Sequence, residues 1–296
     1  MTRPVYAHRP SKDVTRRIFV DMLHHLNAVV DIRNYQYIGF GALDFIDFDA
    51  VHRSLGISAM YSIENDTNWT RYEANIPYQC VRLLAGNSTD MLTRIDWKKL
   101  SVVWLDYEDA LNARVINDVE YLCQKLIPGS VLAVTLNAEP GSLNGRRDRM
   151  AVNVSEECIP PGYDDDRLGD WGWATAQQRI LFSTIRRRLQ KRPDSAGWWQ
   201  TLNIHYRDVA HMQLVAGVID APVVHPLLES ARLSRADYFT PGSIAVEVEV
   251  PYLTQNEQRI LRRKLPMVPR QRLPVLPGVP REDVETFRRY YQWIGA

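Results

Sequence analysis

The chain has little of what would place it outside a reducing aqueous compartment. Its 296 residues include three cysteines, Cys80, Cys123 and Cys158. An odd, unevenly spaced set builds neither a disulfide framework nor a thiolate metal site and suits a reducing cytoplasm. No apolar run approaches the roughly 18 residues a membrane span needs. Residues 1–10 are polar and carry Arg3, His8 and Arg9 in place of the apolar stretch of a secretory leader. A cytoplasmic protein without membrane contact is expected. Charge of one sign is missing too: 36 Lys and Arg against 35 Asp and Glu leave a formal net charge of +1. Nothing global therefore draws the chain to nucleic acid. There is no internal repeat. What is present, 45% hydrophobic residues, suffices for one sizeable core and a small appendage.

That core is organised around residues 35–64, YQYIGFGALDFIDFDAVHRSLGISAMYSIE. Tyr35 to Ile38 reads as a buried strand, Gly39 and Gly41 as a turn, about Phe45 to Leu55 as an amphipathic helix, and Ala59 to Ile63 as a second strand ending at Glu64. Two apolar strands separated by a helix-length segment pair through a crossover, so a parallel sheet is expected. Ligands of such sheets bind at the strand carboxyl ends. Glycine lets the backbone approach them, and a strand-end carboxylate can accept from ribose hydroxyls. The third glycine of the dinucleotide fingerprint is missing, and Leu43-Asp44 puts negative charge where a phosphate would lie. This disfavours NAD and suits S-adenosylmethionine, a nucleoside without a pyrophosphate. A tight turn in any α/β protein is the alternative reading.

Before this unit, Val14, Ile18, Phe19, Met22, Leu23 and Leu26 recur at helical spacing from Ser11 onward. Arg9, Lys12, Arg16 and Arg17 crowd the start of that helix against its macrodipole. Either they are solvated, or Arg9 or Lys12 reaches over the sheet edge toward a ligand carboxylate. After it, Cys80 to Leu84 reads as a third strand closing on Gly86-Asn87-Ser88, a small polar turn suited to an adenine or to a plain strand-to-helix connection. Val102 to Leu105 is apolar on both faces, hence central, and runs into Asp106-Tyr107-Glu108-Asp109. A helix from Ala113 to Leu126 and a fifth strand ending at Asn137 follow.

These repeats predict a Rossmann-like, doubly wound, mostly parallel sheet over residues 35–140, preceded by a helical segment, 1–34. Residues 141–211, with Pro160-Pro161-Gly162, Asp164-Asp165-Asp166 and a helix from Thr175 to Arg192, read as an irregular and helical insertion for substrate or partner. Its RRRLQKR run beside Trp198-Trp199 is read as the cations of a helix end before it is read as a nucleic-acid contact. Met212 to Ala221 and the alternating stretch Gly242 to Thr254 predict an antiparallel pair closing the sheet within 212–255. A capping box, Thr254 to Glu257, opens the helical tail 256–296, which continues through a proline-rich linker into a last helix.

RPSK, YIGFGALDFIDF, SIE, VWLDYEDAL and the closing YYQWI resemble class I S-adenosylmethionine-dependent methyltransferases, specifically a bacterial group known as putative O-methyltransferases. The resemblance spans nearly the whole chain. It implies Gly39 and Gly41 under the methionine part of the cofactor, Glu64 on the ribose, and Gly86, Asn87 and Ser88 near the adenine. Asp47 matches a further family position on the cofactor side. Asp106 would stand at the transfer centre as base or orienting carboxylate, with Tyr107 and Asn137 shaping the acceptor site. Residues 105–141 are also similar to catechol-type enzymes that hold magnesium. Asp106 and Asn137 stand near two ligand positions there, but Thr135-Leu136 occupies the place of a second Asp. The oxygen set is incomplete and no metal residue is assigned. The expected acceptor is a small molecule or a protein, and a homo-oligomer or hetero-complex is compatible. One alternative is a cofactor-binding sensor or scaffold in a multiprotein assembly. A nucleic-acid N-methyltransferase is disfavoured, because the acidic 106–109 stretch lacks the Pro-Pro loop of those enzymes.

Overall fold

Apolar runs too short for helices and flanked by turn residues become the inner strands of one sheet. In the computed structural model, which describes residues 9–268 and 271–295, these are β1 (Gln36–Gly39), β4 (Ser101–Asp106) and β5 (Val131–Asn137). The polar first residues, 1–8, lie outside the described part. With β2 (Ala59–Glu64), β3 (Val81–Ala85), β6 (Gly197–Arg207), β7 (His211–Asp220) and β8 (Val246–Val248), the order is β3-β2-β1-β4-β5-β7-β6-β8. The first five strands are parallel. Strand β7 runs antiparallel to both β5 and β6. The expected doubly wound, Rossmann-like sheet is observed, and its order reverses between β1 and β4, where the carboxyl ends open a crevice.

One expectation is corrected in the second half. The antiparallel partner of β7 is not residues 242–254 but β6, an 11-residue strand at the end of the segment read as an insertion. The 242–254 stretch contributes the three residues of β8, parallel to β6. The region after β5 is also more regular than expected, with α6 (Arg146–Val154) and α7 (Gly172–Leu189). The basic run after α7 has a structural use. Arg192 donates to the carbonyls of Cys123 and Leu126 at 2.8 and 2.6 Å, closing the C-terminus of α5 (Ala113–Lys125) as cations there should.

Helices cover both faces. On one lie α1 (Pro10–Asn27) and α2 (Ile46–Leu55), packing Phe19, Phe48 and their neighbours on Tyr37 and Trp104. On the other, α5 and α7 pack Val115, Leu122 and Leu181 on Val103, Leu105 and Val134. A third, small cluster, Leu253, Leu261, Leu276, Val284 and Phe287, joins α9 (Gln255–Arg262) to α10 (Arg281–Tyr290). The capping box opening α9 is present as expected, with both reciprocal bonds made. Among the described residues no helix is long and apolar enough to cross a membrane.

Candidate functional site

The first turn of α1 is fixed from across the molecule. Pro10 needs no amide partner at a helix start, and Asp208 in the β6–β7 turn accepts from the N–H groups of Ser11 and Lys12, both at 2.9 Å. This anchoring sends Lys12 over the carboxyl edge of the sheet, where its Nζ meets Asp106 Oδ2 at 2.6 Å. One turn on, the buried Arg16 guanidinium pairs with the buried Asp47 of α2. Burial alone would ease the proton off Arg16, but the Asp47 charge and hydrogen bond outweigh it and hold its pKa above the ordinary value. Two of the cations at the helix start, Lys12 and Arg16, thus pair with Asp106 of β4 and Asp47 of α2.

These residues border a cleft of about 900 Å³ at the sheet's carboxyl edge. Arg9, Lys12, Gly41, Asp47, Glu64, Asn87, Ser88, Asp106 and Tyr107 all line it. Of the residues expected from the sequence, Gly39, Gly86 and Asn137 do not. Gly39 lies in β1, where a Cβ would come within 3.1 Å of the Trp104 carbonyl oxygen. Gly86 turns the chain after β3 at φ +141. Asn137 ends β5, but its Oδ1 accepts from the Glu139 N–H at 2.8 Å, so its side chain closes a turn.

Gly41 is required sterically. A Cβ there would lie 2.5 Å from the Phe45 ring and 2.7 Å from Ser62 Oγ. The turn after β1 also puts Ala42 and Phe45 in the left-handed region, at φ 48 and 47, a conformation that costs a non-glycine residue about 1 kcal/mol and recurs at ligand clamps. The Gly41 N–H donates to Ser62 Oγ and Glu64 Oε1 at 2.9 and 2.8 Å. Burial raises the Glu64 pKa above its ordinary value, against the hydrogen bonds from Ser62 and Gly41.

Two of the expected residues are drawn into a structural network that the sequence reading missed. Asp118 of α5, fully buried, accepts from Ser88 Oγ at 2.5 Å, Thr89 Oγ1 at 2.7 Å and Tyr107 Oη at 2.7 Å. Burial first, then the Asp118 charge, pushes the Tyr107 phenol well above its ordinary pKa. Tyr107 therefore gives the cleft an aromatic wall, edge-on to Phe40 at 5.2 Å, and its hydroxyl is spent. The signal for Asp118 was there: one carboxylate between Val115, Val119 and Leu122 on an otherwise apolar helix face.

Asp106 differs. Oδ2 is held by Lys12, while Oδ1 is buried without a partner among the described residues. An acceptor in that state is costly unless a ligand or water supplies the donor. The lining carries eight carboxylates against four cations, a field suited to a sulfonium and an ammonium and hostile to phosphates. The acidic edge, the cradle at Gly41 and the unpartnered Asp106 oxygen fit S-adenosylmethionine. Of the two oxygen ligands that the sequence places near a magnesium site, Asp106 pairs with Lys12 through Oδ2 and Asn137 accepts from the Glu139 N–H through Oδ1, and no group of three metal-binding side chains occurs among the described residues.

A family model described as "Putative O-methyltransferase" matches residues 4–294. No curated protein matches the sequence. Similar solved structures include a putative O-methyltransferase from Klebsiella pneumoniae (14% identity, TM-score 0.39, 74% of this chain and 84% of that one). Trm1 from Pyrococcus horikoshii with S-adenosyl-L-methionine matches at 13% identity and TM-score 0.49, over 76% of this chain and 58% of that one. An O-methyltransferase from Bacillus cereus in complex with SAH matches at 17% and 0.36, over 73% and 84%.

Proposed function

The chain belongs to the putative O-methyltransferase family, and from that premise we propose that its cleft binds S-adenosylmethionine and that Asp106 serves methyl transfer to an acceptor hydroxyl. The observation that carries this reading is the Asp106 carboxylate, anchored at Oδ2 by Lys12 and unpartnered at the buried Oδ1. Family membership makes the chain an S-adenosylmethionine-dependent methyltransferase.

Gly41 and the left-handed turn behind it bring backbone close to the cofactor's amino-acid end. Glu64 would accept from its ribose hydroxyls, and Asn87 and Ser88 would border its adenine. When bound, the cofactor supplies a methyl group on a sulfonium, which leaves with the C–S electron pair remaining on sulfur. The protein's part is to orient the acceptor and take its proton. Asp106 Oδ1 receives the hydroxyl proton as the acceptor oxygen forms its bond to carbon, and Lys12 holds the carboxylate in place throughout. An acidic cleft favours a neutral or cationic acceptor over a polyanion, which sets nucleic acid aside. A small molecule or a protein side chain remains as acceptor, and a cytoplasmic setting accords with the three free cysteines.

The test is calorimetric titration with S-adenosylhomocysteine of the wild-type chain and of Glu64→Ala and Asp106→Asn variants. Removal of Glu64 should cost roughly tenfold or more in affinity, the value of a charge-assisted hydrogen bond. Asp106→Asn should leave affinity within about threefold, since it serves the acceptor side. Absence of binding to the wild-type chain sinks the cofactor assignment.

A further inference from the structure

Helix α1 opens on a residue that cannot cap it. Arg9 stands at the cap position, and a guanidinium has no acceptor to offer the free amides of a first turn. Asp208 supplies one from the turn between β6 and β7. Its Oδ1 accepts from the Ser11 N–H and its Oδ2 from the Lys12 N–H, and an anion there also meets the positive end of the helix.

The helix does not need this cap to stay docked. Along its length Ile18, Phe19, Met22 and Leu23 are buried in the core, and Arg16 pairs with Asp47. What the cap fixes is local to the first turn, where a helix frays when its amides lack partners. A second bond acts at the same place: the Val250 N–H donates to Ser11 Oγ at 3.1 Å.

Asp208 is in turn held from behind. The turn 208–210 is closed by the Arg207–His211 pair. The His211 carbonyl accepts from the Ala138 N–H at 2.8 Å, and its Nδ1 donates to Glu139 Oε2, also at 2.8 Å. The same imidazole packs edge-on against Trp171, with ring centres 4.5 Å apart. The turn is thereby tied to the segment that follows β5, the strand paired with β4 beside Asp106.

The first turn of α1 also carries part of the cleft wall, and from it Lys12 reaches Asp106 Oδ2 at 2.6 Å. A lysine is a point charge on a long flexible stem, so its Nζ is placed only as well as its backbone. A reacting group about 1 Å out of place can cost on the order of 10²-fold in rate. We propose that Asp208 is a positioning residue: by capping α1 from the β6–β7 turn it fixes the backbone of Lys12, and through Lys12 the orientation of the Asp106 carboxylate. Its consequence for methyl transfer rests on the role assigned to Asp106, whereas the coupling of Asp208 to Lys12 and Asp106 does not.

The experiment reads both ends of this chain of contacts in the full-length protein, for wild type, Asp208→Ala and Asp208→Asn. The first reading is trace acetylation with acetic anhydride, followed lysine by lysine by mass spectrometry, with the exposed Lys98 and Lys99 as internal standards. Asp208→Ala should raise the acetylation of Lys12 roughly tenfold, the value of a lost charge-assisted hydrogen bond, and leave the standards unchanged. Asp208→Asn keeps one amide acceptor and should fall between. The second reading is the Asp106 resonance in chain isotope-labelled at its aspartate carboxyl carbons, identified by its loss in Asp106→Asn. In Asp208→Ala it should move toward its position in Lys12→Met, and in Asp208→Asn by less. Unchanged Lys12 acetylation in Asp208→Ala, a rise shared by Lys98 and Lys99, or an Asp106 resonance that stays in place would each overturn the proposal. If the Ala variant does not fold, the Asn variant decides on the same two readings. Neither reading uses cofactor or acceptor, so failure of the chain to bind S-adenosylhomocysteine bears on the cofactor assignment alone.

Discussion

Asp106 at the end of β4 and Asp118 of α5 are neighbouring carboxylates, yet their hydrogen bonds leave them in opposite states. Asp118 takes three hydroxyl donors and is saturated, as a structural carboxylate must be to stay buried. Asp106 takes one lysine and keeps an open oxygen. Sequence position identified Asp106, because a carboxylate after a strand buried on both faces must meet a cleft. It did not show that Tyr107 and Ser88, next to such carboxylates in space, would face Asp118 and not a ligand. Side-chain direction at a strand end is decided by whichever donor or acceptor the opposite helix offers, and that pairing is not encoded locally. His205 makes a testable case at this scale. Burial in β6 lowers its pKa from the ordinary 6.5 to about 4, so the folded chain keeps the imidazole neutral where the unfolded chain binds a proton. The unfolded state takes up more protons between these two values, and stability must fall as pH falls through that window, by roughly 3 kcal/mol for this group. Urea unfolding at pH 7 and pH 4.5 should show the loss in wild type. A His205→Asn variant should lose distinctly less, and equal losses in both chains would show that other groups set the acid limb.

The elements divide by how their burial is achieved. The parallel core was legible because β4 and β5 are apolar runs buried on both faces and helix-length segments separate the strands. Strand β6 was not, for a physical reason. One face of it carries Gln200, Asn203 and His205, all buried, and the first of these is satisfied by Gln178 of α7 at 2.8 Å and by the Thr240 and Gly242 carbonyls, both at 2.7 Å. Hydropathy reads such a face as solvent-exposed, since nothing nearby in sequence announces the partners. Helix α1 is likewise attached through charge, by the buried Arg16–Asp47 pair. Taking away one member of such a pair strands the other as an uncompensated buried charge, so Asp47→Ala should cost about 3–5 kcal/mol, whereas replacing both with apolar residues is nearly neutral. Denaturant unfolding of Asp47→Ala and of the double variant Arg16→Met with Asp47→Leu measures this. If the double variant is as unstable as the single one, the pair is not what seats the helix.

At the scale of the molecule, two large cores line the faces of the sheet and a third, small one belongs to the tail. Among the described residues, tail and body meet where Tyr290, buried in the core beneath α1, donates to the Glu247 carbonyl and where Trp293 and Ile294 rest on that core; within the tail, Arg262 donates to the carbonyls of Ile294 and Gly295, both at 3.0 Å. Ile294 and Gly295 then border the cofactor cleft. The described part of the tail, residues 256–268 and 271–295, thus reaches the rim of the site. Phe287 is central to the small cluster and buried, and truncating a buried phenylalanine to alanine costs about 3–5 kcal/mol. Because that cluster is nearly self-contained, the loss should open the tail and leave the sheet folded, in line with opening by separate cooperative units. Limited trypsin digestion of Phe287→Ala should release the tail at its arginines and leave a stable fragment, and S-adenosylhomocysteine affinity should fall several-fold as the rim is lost. Digestion of the whole chain at one rate would mean that tail and sheet unfold together. A trimmed chain with undiminished affinity would mean that the tail borders the cleft without shaping it.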